Sequence, residues 1–233
     1  MPVRLAVSRL HYAWTLAWCA VVSAVLIGPG LVYYRLRPTS RRFWQWMRVW
    51  SRSVLGGAGL RVVSTGRAPA GPAVFVANHQ AMLDIPALFL GIGQPFVFVA
   101  RSELRRIPLV GTVLTATRCV YLDRADAGPA LAEAARRVAE GDAIVFFPEG
   151  TRSYGRGVGR FRTGAFRLAI QAGVPVVPIA IDGSPGVLNE RARTARPGAV
   201  TVRVGAPLRP LPGEDARAFA ARARADVLRL LSA

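Results

Sequence analysis

Lysine is absent from this 233-residue chain, so all 31 of its basic side chains are arginine. That excludes the Gly-Lys-Ser/Thr phosphate loop, and it excludes a Schiff-base amine for a carbonyl substrate or pyridoxal phosphate. Acidic residues are scarce too, 13 in all, which leaves a formal charge of +18. A surface of that sign suits nucleic acid, anionic lipid or a phosphorylated substrate. An arginine-rich, lysine-free composition also follows from genomic base composition, so charge alone does not choose among them. The two cysteines, Cys19 and Cys119, lie in apolar runs and read as small buried hydrophobes. No disulfide framework and no metal-ligand spacing is present. Histidine is nearly absent: His11 sits in an apolar stretch near the N-terminus, which makes His79 the candidate if the protein uses a histidine base. No internal repeat or long linker interrupts the chain, and its length fits one ordinary domain plus an appendage.

Charge is also missing locally. From Leu10 to Tyr34 there is no Asp, Glu or Arg, and Trp14, Trp18, Tyr33 and Tyr34 stand near the ends. Such a run is long enough for a membrane-embedded helix with interfacial aromatics. Gly28-Pro29-Gly30 is expected to kink or end it, leaving room for a monotopic helix rather than a full span. The segment from Arg35 to Arg52 is basic and tryptophan-rich, a composition suited to a membrane interface. Basic residues are denser after the apolar run than before it, which favours a cytoplasmic main domain. The expected division is 1–58 as an N-terminal membrane-embedded helix with a basic amphipathic segment, and 59–233 as the α/β domain.

Beyond Leu60 strand and helix patterns alternate. Strands are expected near 60–64, 73–77, 95–100, 118–122, 143–147, 175–181 and 200–204, with helices at 84–90, 128–140, 163–172 and 214–231. Gly173 should end the third of these helices in a left-handed turn. The alternation predicts an α/β fold, a mixed β-sheet flanked by helices. Val174-Pro175-Val176-Val177-Pro178-Ile179 carries two prolines and is expected at a sheet edge or in an irregular wall.

Two stretches carry chemistry. Asn78-His79-Gln80-Ala81-Met82-Leu83-Asp84 joins an apolar strand to a short helix. A carboxylate five residues after a histidine can fix the imidazole tautomer and stabilise the imidazolium formed on proton uptake. Phe147-Pro148-Glu149-Gly150-Thr151-Arg152-Ser153 follows a second apolar strand. Its tight turn places polar groups at the sheet edge, where α/β proteins bind ligands. Arg152 can fork onto phosphate oxygens, Gly150 permits close backbone approach and Thr151 adds a hydroxyl. Asp182-Gly183-Ser184-Pro185-Gly186 lacks the first glycine of a serine nucleophile elbow.

In this order the blocks at Asn78–Asp84, at Arg124, at Phe147–Ser153 and at Val174–Ile179 resemble the glycerolipid acyltransferases of the lysophosphatidic acid acyltransferase type. The resemblance runs from about Leu60 to Val204, and the N-terminal pair of segments resembles the family's membrane-docking helices. It implies that His79 is the general base and Asp84 its orienting partner. It implies an acceptor-phosphate site shaped by Arg101, Arg124, Glu149, Gly150, Thr151 and Arg152, with Asn78, Phe147, Pro148, Ser153 and Pro178 as supporting motif residues. The implied reaction moves a fatty acyl chain from acyl-CoA or acyl-ACP, as co-substrate, to the sn-2 hydroxyl of 1-acyl-sn-glycerol-3-phosphate. Phosphatidic acid results, with no cofactor and no metal. The implied partners are the lysophospholipid, acyl-CoA or acyl carrier protein, and membrane lipids rather than nucleic acid; the implied location is the cytoplasmic face of the membrane. Ala81 stands where the family commonly has Ser, and Arg101 where it often has Lys, a fork in place of a point charge. A lyso-ornithine lipid acceptor is the alternative within the family. A tethered binder of anionic lipid or nucleic acid is the alternative outside it.

Overall fold

The computed structural model describes residues 2–36, 41–107, 110–123 and 125–233, with the side chains of residues 2, 3, 33–36 and 41–43 outside that description. In chain order the elements are α1 (Pro2–Leu36), α2 (Arg41–Gly57), β1 (Leu60–Thr65), β2 (Val74–Ala77), α3 (Asp84–Gly91) and β3 (Val97–Arg101). After a 3₁₀ turn (Ser102–Arg106) come α4 (Val110–Ala116), β4 (Val120–Leu122), α5 (Gly128–Ala139), β5 (Ile144–Phe146), α6 (Gly164–Ala172) and β6 (Val176–Asp182). The chain closes with α7 (Ser184–Val187), β7 (Leu188–Asn189), β8 (Thr194–Ala195), β9 (Gly198–Val204) and α8 (Ala216–Leu231).

Seven strands form one sheet in the order β1-β9-β6-β2-β5-β3-β4. Five of them, β6, β2, β5, β3 and β4, run parallel, and the β1–β9 pair enters antiparallel through β6. The expected mixed, helix-flanked sheet is therefore present, with all seven strands in place. Every residue of β2 is buried, as expected of a continuous apolar strand covered on both faces. Side chains alternate across it. Phe75 and Ala77 pack with Met47 and Leu55 of α2 and Leu88 and Phe89 of α3, while Val74 and Val76 pack with Phe166 and Leu168 of α6 and Phe219 of α8. Gly173 ends α6 at φ +66°, the left-handed conformation that glycine adopts without a Cβ penalty. The Asp215 side chain caps α8 by accepting from the Arg217 and Ala218 amides at 2.9 and 2.7 Å. Cys119 is buried, its thiol pushed up to about 12 by loss of water; Cys19 is only half-buried.

Two expectations change. The double-proline strand is not at an edge: β6 lies between β9 and β2. The sheet absorbs its prolines because neither is asked to donate. The Pro175 and Pro178 carbonyls accept from the Val74 and Gly205 amides at 2.9 and 2.8 Å. Pro178 has its own amide position directed away from β2, at the end of β9, where antiparallel pairing with β6 starts only at Ile179. Likewise α1 neither kinks to an end nor stops at Pro29 but continues to Leu36. Proline there removes the helical N–H that would reach the Val25 carbonyl, and the Trp46 indole donates to the neighbouring Leu26 carbonyl at 2.8 Å.

Candidate active site

The loops after β2 and β5 meet at the carboxyl edge of the parallel strands. These strands are neighbours, yet β2 leads to α3 on one face and β5 to α6 on the other. A crevice opens where adjacent strands send their connections to opposite faces. Asn78 sets its first wall. Fully buried, it forms a two-way pair with β6, donating from Nδ2 to the Ile181 carbonyl at 2.9 Å and accepting at Oδ1 from the Ile181 amide at 2.7 Å. The side-chain amide thus continues the β2–β6 ladder for one more step and fixes where His79 leaves the sheet.

His79 is mostly covered, and its Nδ1 donates to Asp84 Oδ2 at 2.8 Å. The same oxygen accepts the backbone amides of Gln80 and Ala81 at 2.5 and 2.9 Å. Asp84 is fully buried in the first turn of α3, where the helix dipole favours a negative charge. A carboxylate can only accept, so the proton lies on Nδ1 and the lone pair on Nε2. One ring face is closed by Phe147, stacked at 4.0 Å between centroids and 16° between planes. Phe147 in turn stacks on Phe98 at 6.0 Å, so the imidazole is held by a hydrogen bond to a carboxylate and by an aromatic column.

The Glu149 loop is tied to the His79 loop through the backbone. Ser153 and Tyr154 amides donate to the His79 and Gln80 carbonyls at 2.7 and 3.1 Å. Glu149 is buried, and its oxygens accept the amides of His79 at 2.9 Å and Gly159 at 2.8 Å. Gly150 has φ +68°, and a Cβ there would approach Arg162 Nε to 3.0 Å. Arg152 pairs with Glu190, whose other oxygen accepts the Met82 amide at 2.6 Å. The guanidiniums of Arg152 and Arg191 both lie over the Tyr154 ring, 5.4 and 4.6 Å from its centroid.

The structure thus brings Asn78, His79, Asp84, Phe147, Glu149, Gly150, Arg152 and Ser153 together. Pro148 is buried in the same turn, where its carbonyl accepts the Arg162 amide at 2.9 Å. Thr151 is exposed on that turn, and Arg101 is exposed at the end of β3, two strands from β2. Pro178 is buried within β6, beside β2. Arg124 lies outside the described residues. Sequence reasoning passed over Glu190, Arg162 and Arg191, which belong to no motif and reach the site only because the β7–β8 hairpin and the glycine-rich loop fold back over it.

A family model described as "Acyltransferase" matches residues 59–182, more than half of the chain. The chain belongs to the acyltransferase family. Named relatives include a 1-acyl-sn-glycerol-3-phosphate acyltransferase of Chlamydomonas reinhardtii, 38% identical over 158 residues, covering 66% of this chain and 47% of that one. Another, from Haemophilus influenzae, is 36% identical over 121 residues, half of each chain. This acyltransferase chain spans about half the length of such relatives. The crystal structure of the lysophosphatidic acid acyltransferase PlsC from Thermotoga maritima shares the fold, with a TM-score of 0.77 over 99% of this chain and 96% of that one, at 24% identity.

Proposed function

We propose that this acyltransferase moves a fatty acyl chain from acyl-CoA or acyl-ACP to the sn-2 hydroxyl of 1-acyl-sn-glycerol-3-phosphate, forming phosphatidic acid for phospholipid synthesis. The observation that carries the reading is the His79–Asp84 pair at 2.8 Å, with Nε2 left as the basic nitrogen at the mouth of the crevice. His79 takes the proton of the acceptor hydroxyl as its oxygen attacks the thioester carbonyl. The C–S bond breaks, and the proton passes from imidazolium to the leaving thiolate. Asp84 holds the tautomer and stabilises the imidazolium. A thioester is already activated, so no acyl-enzyme is required. The names of the relatives support the same acceptor.

In this reading Arg101, Arg124, Thr151 and Arg152 hold the acceptor phosphate, and Gly150 lets it approach the backbone. Glu149 positions both loops, because its oxygens are occupied by the amides of His79 and Gly159. We assign residues 1–58 to membrane docking and 59–233 to chemistry. The enzyme is then monotopic on the cytoplasmic face. The outward side of α1 is apolar, while α2 buries its inner side in the domain core, so the pair suits one leaflet.

The test is acyl transfer by purified protein in lipid micelles, with labelled acyl-CoA or acyl-ACP and either lysophosphatidic acid or lyso-ornithine lipid. Wild type should form phosphatidic acid, and His79→Ala should lose about 10²–10⁴-fold in turnover while still binding micelles. Product from the ornithine acceptor alone would replace the substrate. Near-normal turnover by His79→Ala would remove the mechanism.

A further inference from the structure

Between α1 and the β7–β8 hairpin lies a cleft of about 490 Å³ lined by Arg9, Tyr12, Arg191, Ala192 and Arg193. Among the described residues, no acidic one lines it. Among the described residues, none of its three arginines forms an ion pair, although others on the surface do so repeatedly. The arrangement is also held in place. Ser8 of α1 donates to the Ala195 carbonyl at 3.1 Å, Asn189 accepts the Ala192 amide at 2.9 Å, and Arg196 donates to the Gly186 carbonyl at 2.6 Å. Arg193 is kept at φ +53°, a left-handed conformation unusual for a residue with a side chain. Those bonds hold the backbone of the hairpin against α1, and the three like charges it brings around one cavity are eased when an anion enters.

The surroundings say which anion. Arg9 lies on α1 within about a turn and a half of the exposed apolar side chains Leu5, Leu10 and Trp14. A lipid whose chains run along that face brings its headgroup to the cleft. We propose that the cleft binds the headgroup phosphate of an anionic membrane phospholipid, at a site that adjoins the catalytic crevice through Arg191. Arg191 provides a link between the two. It reaches Tyr154, which also carries Arg152, and it follows Glu190, which holds both Arg152 and the Met82 amide. An occupied cleft therefore seats the catalytic loops against the bilayer surface. This binding stands independently of which lipid is acylated.

Vesicle flotation tests it, using phosphatidylcholine vesicles with and without phosphatidylglycerol at fixed ionic strength. Wild type should prefer the anionic vesicles. Arg9→Gln, Arg191→Gln and Arg193→Gln combined should cut that preference by about fivefold per arginine, and Arg9→Gln alone should show its single share. Arg217→Gln, on an exposed turn of α8, serves as the general charge control and should change it much less. Circular dichroism confirms that each variant is folded. Equal losses for Arg217→Gln and Arg9→Gln, or full preference in the triple variant, would overturn the site. Displacement of wild type from anionic vesicles by inorganic phosphate, with ionic strength held constant, would make free phosphate the occupant and overturn the lipid assignment.

Discussion

Glu149 shows how one buried carboxylate can tie two loops of this site together. Its oxygens take the amides of His79 and Gly159, and burial leaves neither amide an alternative partner in water. Glu149→Gln preserves shape but turns an NH₂ group toward one of those donors. A buried donor left unmet costs about 1–3 kcal/mol. Thermal unfolding should register that loss, and kcat should fall because the His79 backbone is released, with KM for the thioester largely unchanged. An unchanged melting temperature would mean that the amides are satisfied without the carboxylate. Asn78 works on the same principle, its amide serving as an extra rung between β2 and β6.

Among the elements, the α1–α2 hairpin is the one whose construction is least conventional. Four indole N–H groups join the helices: Trp14 to the Gly57 carbonyl at 2.9 Å, Trp18 to the Ser53 carbonyl at 2.8 Å, Trp46 to the Leu26 carbonyl at 2.8 Å and Trp50 to Ser23 Oγ at 3.1 Å. Glycine makes room for the rings. A Cβ on Gly57 would lie 1.9 Å from Trp18 Nε1, and one on Gly30 would lie 2.6 Å from Trp46 Nε1. Gly57→Ala should therefore push Trp18 out of its seat at a cost of about 1–3 kcal/mol. A change in tryptophan emission together with a lower melting temperature is expected; an unaltered emission spectrum would show that the helices part without disturbing the ring.

On the scale of the whole molecule, the docking hairpin and the catalytic sheet share one core. Met47, Val54 and Leu55 of α2 are buried, Met47 and Leu55 in the cluster that also contains Phe75, Leu88 and Ile179. The proposed boundary at residue 58 does not separate two folding units. A chain beginning at residue 59 should thus expose an apolar face and aggregate, which size-exclusion chromatography would reveal. A soluble, monomeric fragment would show that the sheet closes its own core. The same continuity fixes the distance between the lipid-facing side of α1 and the crevice beside His79.

Much of this was legible in the sequence for physical reasons that act locally. Apolar runs between turn residues mark the strands, the His79–Asp84 spacing matches one turn of chain folding back onto a helix start, and Gly173 ends its helix by its own conformational chemistry. Pairing across long separations was not legible. Nothing near Pro178 reveals that its missing amide would point past the end of β9, and nothing in α1 reveals that Trp46 donates to the Leu26 carbonyl. Glu190 and the arginines of the cleft likewise depend on where the β7–β8 hairpin lies. The sequence by itself determined the elements, the charge and the acid–base pair, because these rest on neighbours within a few residues. Only the tertiary structure decided strand order, the partners of Glu149 and Arg152 and the seat of α1, because each depends on groups brought together from distant parts of the chain.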